Sequence, residues 1–149
     1  MAAAQSGKAQ GTPWHLWLVG LVALLWNGMG AMDYVMTQTK NEAYMADFTQ
    51  AQLDFFYGLP TWAIATWATA VWGGVLGALL LLLRKRMAVF VFLVSLVAMV
   101  ATTIHNFGLS NGLEVMGDPA GLGFTAAIFL LSVAFLMYSR AMKRRGALR

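Results

Sequence analysis

Long apolar runs alternate with short polar segments along the whole chain. Four runs are long enough to cross the hydrocarbon core of a bilayer, which takes about 20 mainly apolar residues in a helix. They cover residues 14–32, 59–83, 87–107 and 122–139. The pattern therefore predicts an all-α polytopic membrane protein, in which residues 14–139 form a four-transmembrane-helix bundle.

The segment between the first two runs, 33–58, carries a second and shorter pattern. Thr49 and Gln52 stand three residues apart, the spacing of a capping box at a helix start. Gly58 and Pro60 supply the usual signals for a helix end. The residues between these signals are largely aromatic, so we expect a short amphipathic helix lying at the membrane interface.

Composition agrees with a membrane protein. Of the 149 residues, 60% are hydrophobic and 11% are charged, against roughly 45–50% and about 25% in soluble domains. The chain has no Cys, which excludes disulfides, thiolate metal sites and cysteine nucleophiles. The net charge is +4, but the basic residues stand at the ends of apolar runs. They act there as orientation signals, so we expect no nucleic-acid partner.

The charges divide between the two ends of the predicted bundle. Lys8, the link between spans two and three and the segment 140–149 hold nine of the ten basic residues. All six acids lie in the segments 33–58 and 108–120. Because basic residues in short loops stay cytoplasmic, we expect a flexible cytoplasmic N-terminus (1–13) and a basic cytoplasmic tail (140–149). The two acidic loops would face the periplasm of a bacterium, and the second is rich in turn residues and expected to be irregular.

Small residues recur every four positions in span two. They are Ala65, Thr69, Gly73 and Gly77. Small residues at this spacing let helix backbones approach closely in lipid. This helix-packing face predicts a close neighbour, which is either another span of the same bundle, a second copy or another membrane subunit.

A candidate polar cluster lies toward the acidic side of the bundle. Its members are Asn27, Asp33, Tyr34, His105 and Asn106. Polar groups in lipid need partners, and Asp33 and His105 are expected at similar depth on spans one and three. A carboxylate near an imidazole could bind a cation, relay a proton or hold a polar ligand. The alternative is a structural salt bridge or hydrogen bond that ties the two spans together.

Two tryptophans, Trp67 and Trp72, lie deep in span two, and each indole N–H needs a place to go. We favour indoles packed within the bundle over an aromatic wall for a flat or sugar-like ligand.

Cofactor and catalytic motifs are not predicted. The second histidine, His15, stands at the opposite end of span one, so depth excludes a bis-histidine haem site within one copy. A metal site would need more ligands than His105 and one nearby acid. The sequence contains no Ser–His–Asp arrangement, phosphate loop or metalloprotease motif, and we expect neither a metal, a cofactor nor an enzymatic activity.

Several stretches resemble a known family. They are WNGMGAMDYVMTQT, then Tyr44, Phe48, Gln52 and Phe55 through Leu59-Pro60, and WATAVWGGVLGALLLLLRKR. Over roughly residues 14–110 the chain is similar to a family of small bacterial inner-membrane proteins with about four spans, to which a sugar-transporter label is sometimes attached. The resemblance implies an inner-membrane location, and it brings no catalytic or binding residues with it.

Two functional interpretations follow. The first is a small non-enzymatic accessory or structural subunit that contacts the lipid bilayer and docks through the packing face of span two on another subunit or a second copy. The alternative is a transporter or binding protein for a small polar, sugar-type solute, acting as an oligomer. Asn27-Gly28 and Gly30 could then supply the broken helix that transporters often use near the midplane.

Overall fold

A computed structural model describes residues 12–149. Residues 1–11, which include Lys8 and most of the expected flexible N-terminus, lie outside the described part. Within that part the chain forms a series of helices. They are α1 (Trp14–Gln38), α2 (Glu42–Met45), α3 (Gln50–Tyr57), α4 (Thr61–Leu82), α5 (Met87–Thr103), a π-helix (Ile104–Leu109), α6 (Gly112–Met116) and α7 (Pro119–Arg144).

Four of these helical stretches are long and apolar enough to cross a membrane: α1, α4, α5 with its π-helical extension, and α7. The all-α four-span fold of an integral membrane protein is thereby confirmed. The short helix α3 begins with the expected capping box, in which Thr49 and Gln52 each bond the backbone of the other, and it ends at Gly58. Residues 112–116 of the loop expected to be irregular are helical as well, between the turn residues Asn111 and Gly117.

Span boundaries differ from the expected ones mainly at α1 and α7. Helix α1 continues past residue 32 to Gln38, and Gly28 and Gly30 do not interrupt it. Helix α7 begins at Pro119 and ends at Arg144, beyond the expected span 122–139 on both sides. The polar residues of these extensions do not stop a helix whose backbone hydrogen bonds can continue.

The three helices α1, α4 and α7 end in the same way. The residue after each C-cap takes a left-handed conformation: Lys40 (φ 53°), Arg84 (φ 59°) and Gly146 (φ 76°). In each case the following amide bonds a carbonyl five residues back, from Asn41 to Met36, from Lys85 to Leu80 and from Ala147 to Met142. These are Schellman motifs, which turn the chain sharply and satisfy carbonyls that the helix ends would leave free.

The buried core lies toward the end that carries the basic residues, called the basic end below. It includes Leu16, Leu81, Phe92, Phe135 and Leu148. The last residues are part of it, since Ala147 and Leu148 are buried. The backbone of Arg149 bonds that of Arg84 and Arg86 at 2.7 and 2.8 Å. Segment 145–149 is therefore a clasp across the α4–α5 turn, where the sequence suggested only a tail.

Helix α4 occupies the middle of the bundle, because it packs extensively on both α1 and α5. A Cβ atom on Gly77 would lie 2.7 Å from the Phe92 ring of α5, and one on Gly74 would overlap Asn27 of α1. Helix α7 packs mainly on α5 and only slightly on α1. The bundle is thus tight around α4 and open between α1 and α7.

Candidate functional site: a cavity among the four spans

A cavity of about 420 Å³ lies among the spans, and it borders the buried core at Trp26. This volume is within the range of small-molecule pockets, roughly 300–1,000 Å³. Helix α1 supplies its longest wall, α4, α5 and α7 supply the others, and Tyr44 of α2 closes one end. The stretch WNGMGAMDYVMTQT forms the α1 wall, because two rows of residues three positions apart face the same side. The rows are Trp26, Met29 and Met32, and Asn27, Gly30 and Asp33.

Asn27 is seated at the contact between α1 and α4. Its Nδ2 donates a hydrogen bond to the Ala23 carbonyl of the same helix at 2.8 Å. Its Oδ1 lies where a side chain on Gly74 would otherwise stand. The amide thus finds a partner in its own backbone, and the glycine of α4 gives it room.

Asp33 lines the cavity together with the tyrosine that bonds it. The Tyr44 hydroxyl donates to Asp33 Oδ1 at 2.5 Å. Burial, and then the hydrogen bond to Asp33 and its charge, raise the pKa of Tyr44 from 10.0 to about 12. Tyr44 therefore stays protonated at neutral pH and holds the carboxylate at the cavity wall.

Tyr34 does not line the cavity but supports a residue that does. Its ring meets Trp67 edge-on, with 4.9 Å between ring centres. Phe56 of α3 approaches the same indole at 6.1 Å. Trp67 lines the cavity, so this aromatic group fixes part of the α4 wall.

His105 and Asn106 form a separate group in the π-helix. His105 is buried, its Nδ1 lies 3.1 Å from Asn106 Oδ1, and its ring meets Trp62 edge-on at 5.1 Å between centres. Neither residue lines the cavity. The structure therefore unites Asn27 and Asp33 at one cavity, while it gives His105 and Asp33 different partners.

Sequence reasoning missed several cavity residues. Ser95 donates to the Ala70 carbonyl at 2.6 Å, and Ser132 lies 3.6 Å from the Met99 sulfur. Both serines stand in otherwise apolar stretches, which was a usable signal. Tyr44 had no such signal, because the sharp turn after α1 that brings it back to Asp33 depends on the left-handed Lys40.

The cavity opens between α1 and α7. Its most exposed lining residues belong to these two helices: Met29 is 61% exposed, Met32 50% and Phe124 59%. The rings of Trp26 and Phe124, with centres 5.9 Å apart, are in contact between the two helices at this place.

The helix-packing face divides into two parts. Gly73 and Gly77 face Ser95 and Phe92 of α5 inside the bundle. Ala65 and Thr69 are exposed, and they line an apolar groove of about 450 Å³ between α4 and α5 on the outside.

Within residues 12–149, no three His, Asp or Glu side chains come together as metal ligands. His15 bonds the Tyr138 hydroxyl at 2.5 Å toward the basic end, on a different pair of helices from His105. Comparisons with family models, with curated proteins and with solved structures find no match to this chain.

Proposed function

We propose that this membrane protein binds a small amphipathic ligand in the cavity among its four spans. One observation carries the proposal: a pocket of about 420 Å³ has mostly apolar walls and a carboxylate, an amide and hydroxyl groups in its lining. Pockets with this division of apolar and polar groups are typical of small-molecule sites. Asp33 adds weight, since an ionisable side chain on a membrane span is a candidate for function.

The opening between α1 and α7 supports entry from the lipid side. We further propose that the basic end faces the cytoplasm, as the positive-inside rule predicts. The cavity then lies in the outer half of the bundle. In a bacterial inner membrane, the ligand would be one that partitions into the outer leaflet or reaches it from the periplasm.

Two glycines of α1 give a matched test. A Cβ atom on Gly30 would lie 3.5 Å from Val71, an ordinary contact, and Gly30 lines the cavity. A Cβ atom on Gly28 would have no atom within 4 Å. Gly30→Leu should therefore fill part of the cavity, and Gly28→Leu should leave it open.

The experiment measures small molecules that copurify with the protein from native membranes, by mass spectrometry, together with thermal shifts against a panel of small compounds. We expect compounds that accompany the wild type and Gly28→Leu to be lost from Gly30→Leu. If all three proteins gave the same compounds and the same shifts, the cavity would not be the binding site.

A second function, that of an accessory subunit, is favoured by the exposed groove between α4 and α5. Small residues on an exposed helix face permit close helix contact in lipid. The test is gentle solubilisation followed by mass measurement of the particles. Ala65→Leu would fill the groove, while Ala134→Leu changes an exposed alanine of α7 and serves as control. Loss of a larger complex only in Ala65→Leu is the expected result, and recovery of the wild type as an isolated monomer would contradict it.

A further inference from the structure

The polar groups of the cavity differ in what they still have to offer a ligand. The hydroxyl hydrogens of Tyr44, Ser95 and Ser132 are directed at Asp33, the Ala70 carbonyl and the Met99 sulfur respectively. A hydroxyl has one hydrogen and two lone pairs. Each of these three oxygens therefore retains acceptor capacity but has used its donor.

The only formal charge among the lining residues that the structure describes is that of Asp33. An ionised carboxylate is an acceptor with about four lone-pair positions, and the Tyr44 hydroxyl uses one of them. A charge at membrane depth normally pairs with an opposite charge, and no Lys, Arg or His lines this cavity. Asn27 Nδ2 keeps one N–H beyond its bond to Ala23, and the Trp26 and Trp67 indoles each carry one N–H, but none of these donors is charged. The charge of the site is therefore negative, and the groups around Asp33 offer acceptors.

The aromatic lining favours a positively charged ligand, as the Asp33 carboxylate does. Trp26, Tyr44, Trp67 and Phe124 all contribute to the walls. Aromatic faces attract cations, with Trp the strongest. An anionic ligand would meet the Asp33 carboxylate and the aromatic faces, and both would repel it.

Resting on the proposed function, we infer that the ligand is an organic ammonium ion with an apolar body. Its N–H groups bond Asp33 and the adjacent Tyr44 hydroxyl oxygen, and its apolar body lies against the wall that includes Met29, Phe124 and Ile128. This chemistry could come from a free amine or from the ethanolamine headgroup of a membrane lipid, since the proposed route of entry between α1 and α7 is from the lipid side.

Three probes with one apolar body test this inference: phenethylammonium, 2-phenylethanol and phenylacetate. Binding is measured by calorimetry on the full chain in phosphatidylcholine nanodiscs, whose headgroup has no N–H donor. We expect phenethylammonium to bind at least about tenfold more tightly than the alcohol, as a hydrogen bond to a charged group predicts, and phenylacetate to bind most weakly. Equal affinity for the three, or no saturable phenethylammonium binding up to about 10 mM, would overturn the inference.

Variants of Asp33 test whether its carboxylate is the group that binds the ammonium. Asp33→Asn keeps the shape and removes the charge, and it should weaken phenethylammonium binding about tenfold to a hundredfold. Asp33→Glu retains the charge and should retain binding within a few-fold. Asp47→Asn removes an exposed carboxylate of the same acidic loop and should change nothing. Because the three probes are compared on the wild type, the inference stays testable even if a variant folds poorly.

The outcomes distinguish a failure of this inference from a failure of the proposal that the cavity binds a small ligand. Binding of all three probes that is lost in Gly30→Leu but unchanged in Asp33→Asn would refute the ammonium class and leave the cavity as the binding site. Adding phosphatidylethanolamine to the nanodiscs distinguishes the two sources. Competition with phenethylammonium would indicate the lipid headgroup, and unchanged affinity would indicate a free amine.

Discussion

The two halves of the bundle are packed very differently. Toward the basic end, Leu16, Leu81 and Leu148 are at most 1% exposed, and the clasp joins the last residues to the α4–α5 turn. The buried residues of α7 all lie in the part of the helix from Phe135 onward. In its first half, by contrast, Phe124 and Leu130 are 59% and 72% exposed. Helix α7 is therefore buried only toward the basic end, and in its first half Phe124 and Ile128 line the cavity.

This difference suggests how one small bundle combines stability with an open site. Helices in lipid are held by close van der Waals packing and by hydrogen bonds. The basic half concentrates the close packing, so the other half can leave apolar walls unpaired. The cavity is then stable with only Tyr44 of α2 added to the four spans in its lining.

The largest loss of stability should come from truncating a core side chain in the basic half. Leu81→Ala removes a fully buried side chain, whereas Ile128→Ala removes methyl groups that line the existing cavity. In soluble cores such changes cost about 2–5 kcal/mol. Part of that cost disappears in lipid, where unfolded helices stay in an apolar medium, so we expect about 2 kcal/mol for Leu81→Ala and less than half of that for Ile128→Ala.

Reversible unfolding in mixed micelles measures both values. Equal losses for Leu81→Ala and Ile128→Ala would show that the two halves are equally packed, contrary to the comparison.

A smaller difference in stability is expected between alanine substitutions at two glycines. Gly77→Ala places a Cβ 2.7 Å from the buried Phe92 ring, whereas Gly30→Ala makes an ordinary contact at 3.5 Å. Overpacking costs about 1–3 kcal/mol, and replacing glycine in a helix returns up to about 1 kcal/mol. We expect Gly77→Ala to lose about 1 kcal/mol and Gly30→Ala to be neutral or slightly stabilising. The same unfolding experiment decides, and a loss for Gly30→Ala as large as that for Gly77→Ala would contradict this account.

The glycines also show what the sequence could predict. The four apolar runs, the capping box of α3 and the close approach at Gly73 and Gly77 all depend on local patterns, and each pattern was readable. The left-handed conformation of Lys40 could not be predicted from the sequence, because non-glycine residues adopt it only under local constraint. That turn determines where Tyr44 lies. The cavity depends on it, and also on the loose packing of the first half of α7, which no periodicity records.

His105 is a case in which the sequence predicted a proximity that the structure does not show. Counting residues along straight helices places Asp33 and His105 at similar depth. Depth along two axes says nothing about which way a side chain faces, and the π-helix at Ile104–Leu109 changes that direction further. A π-helix adds a residue to the turn, so a face predicted from ideal α-helical spacing is displaced there.

The smallest predicted effect is a change in stability that occurs only at high pH. It concerns the hydrogen bond between Tyr44 and Asp33. Because the pKa of Tyr44 is raised from 10.0 to about 12, the neutral phenol is the form that the folded state favours. The stability it contributes is complete below pH 10 and is lost as the pH rises through about 12. Ultraviolet difference absorbance between the wild type and Tyr44→Phe should show a phenolate transition near pH 12, with helicity followed by circular dichroism. In Asp33→Asn the transition should move down toward 10, but only partly, since burial is the largest cause of the shift. A wild-type transition near pH 10 would mean that Tyr44 is solvated and that Asp33 is free of it, and the cavity would then lack its end wall.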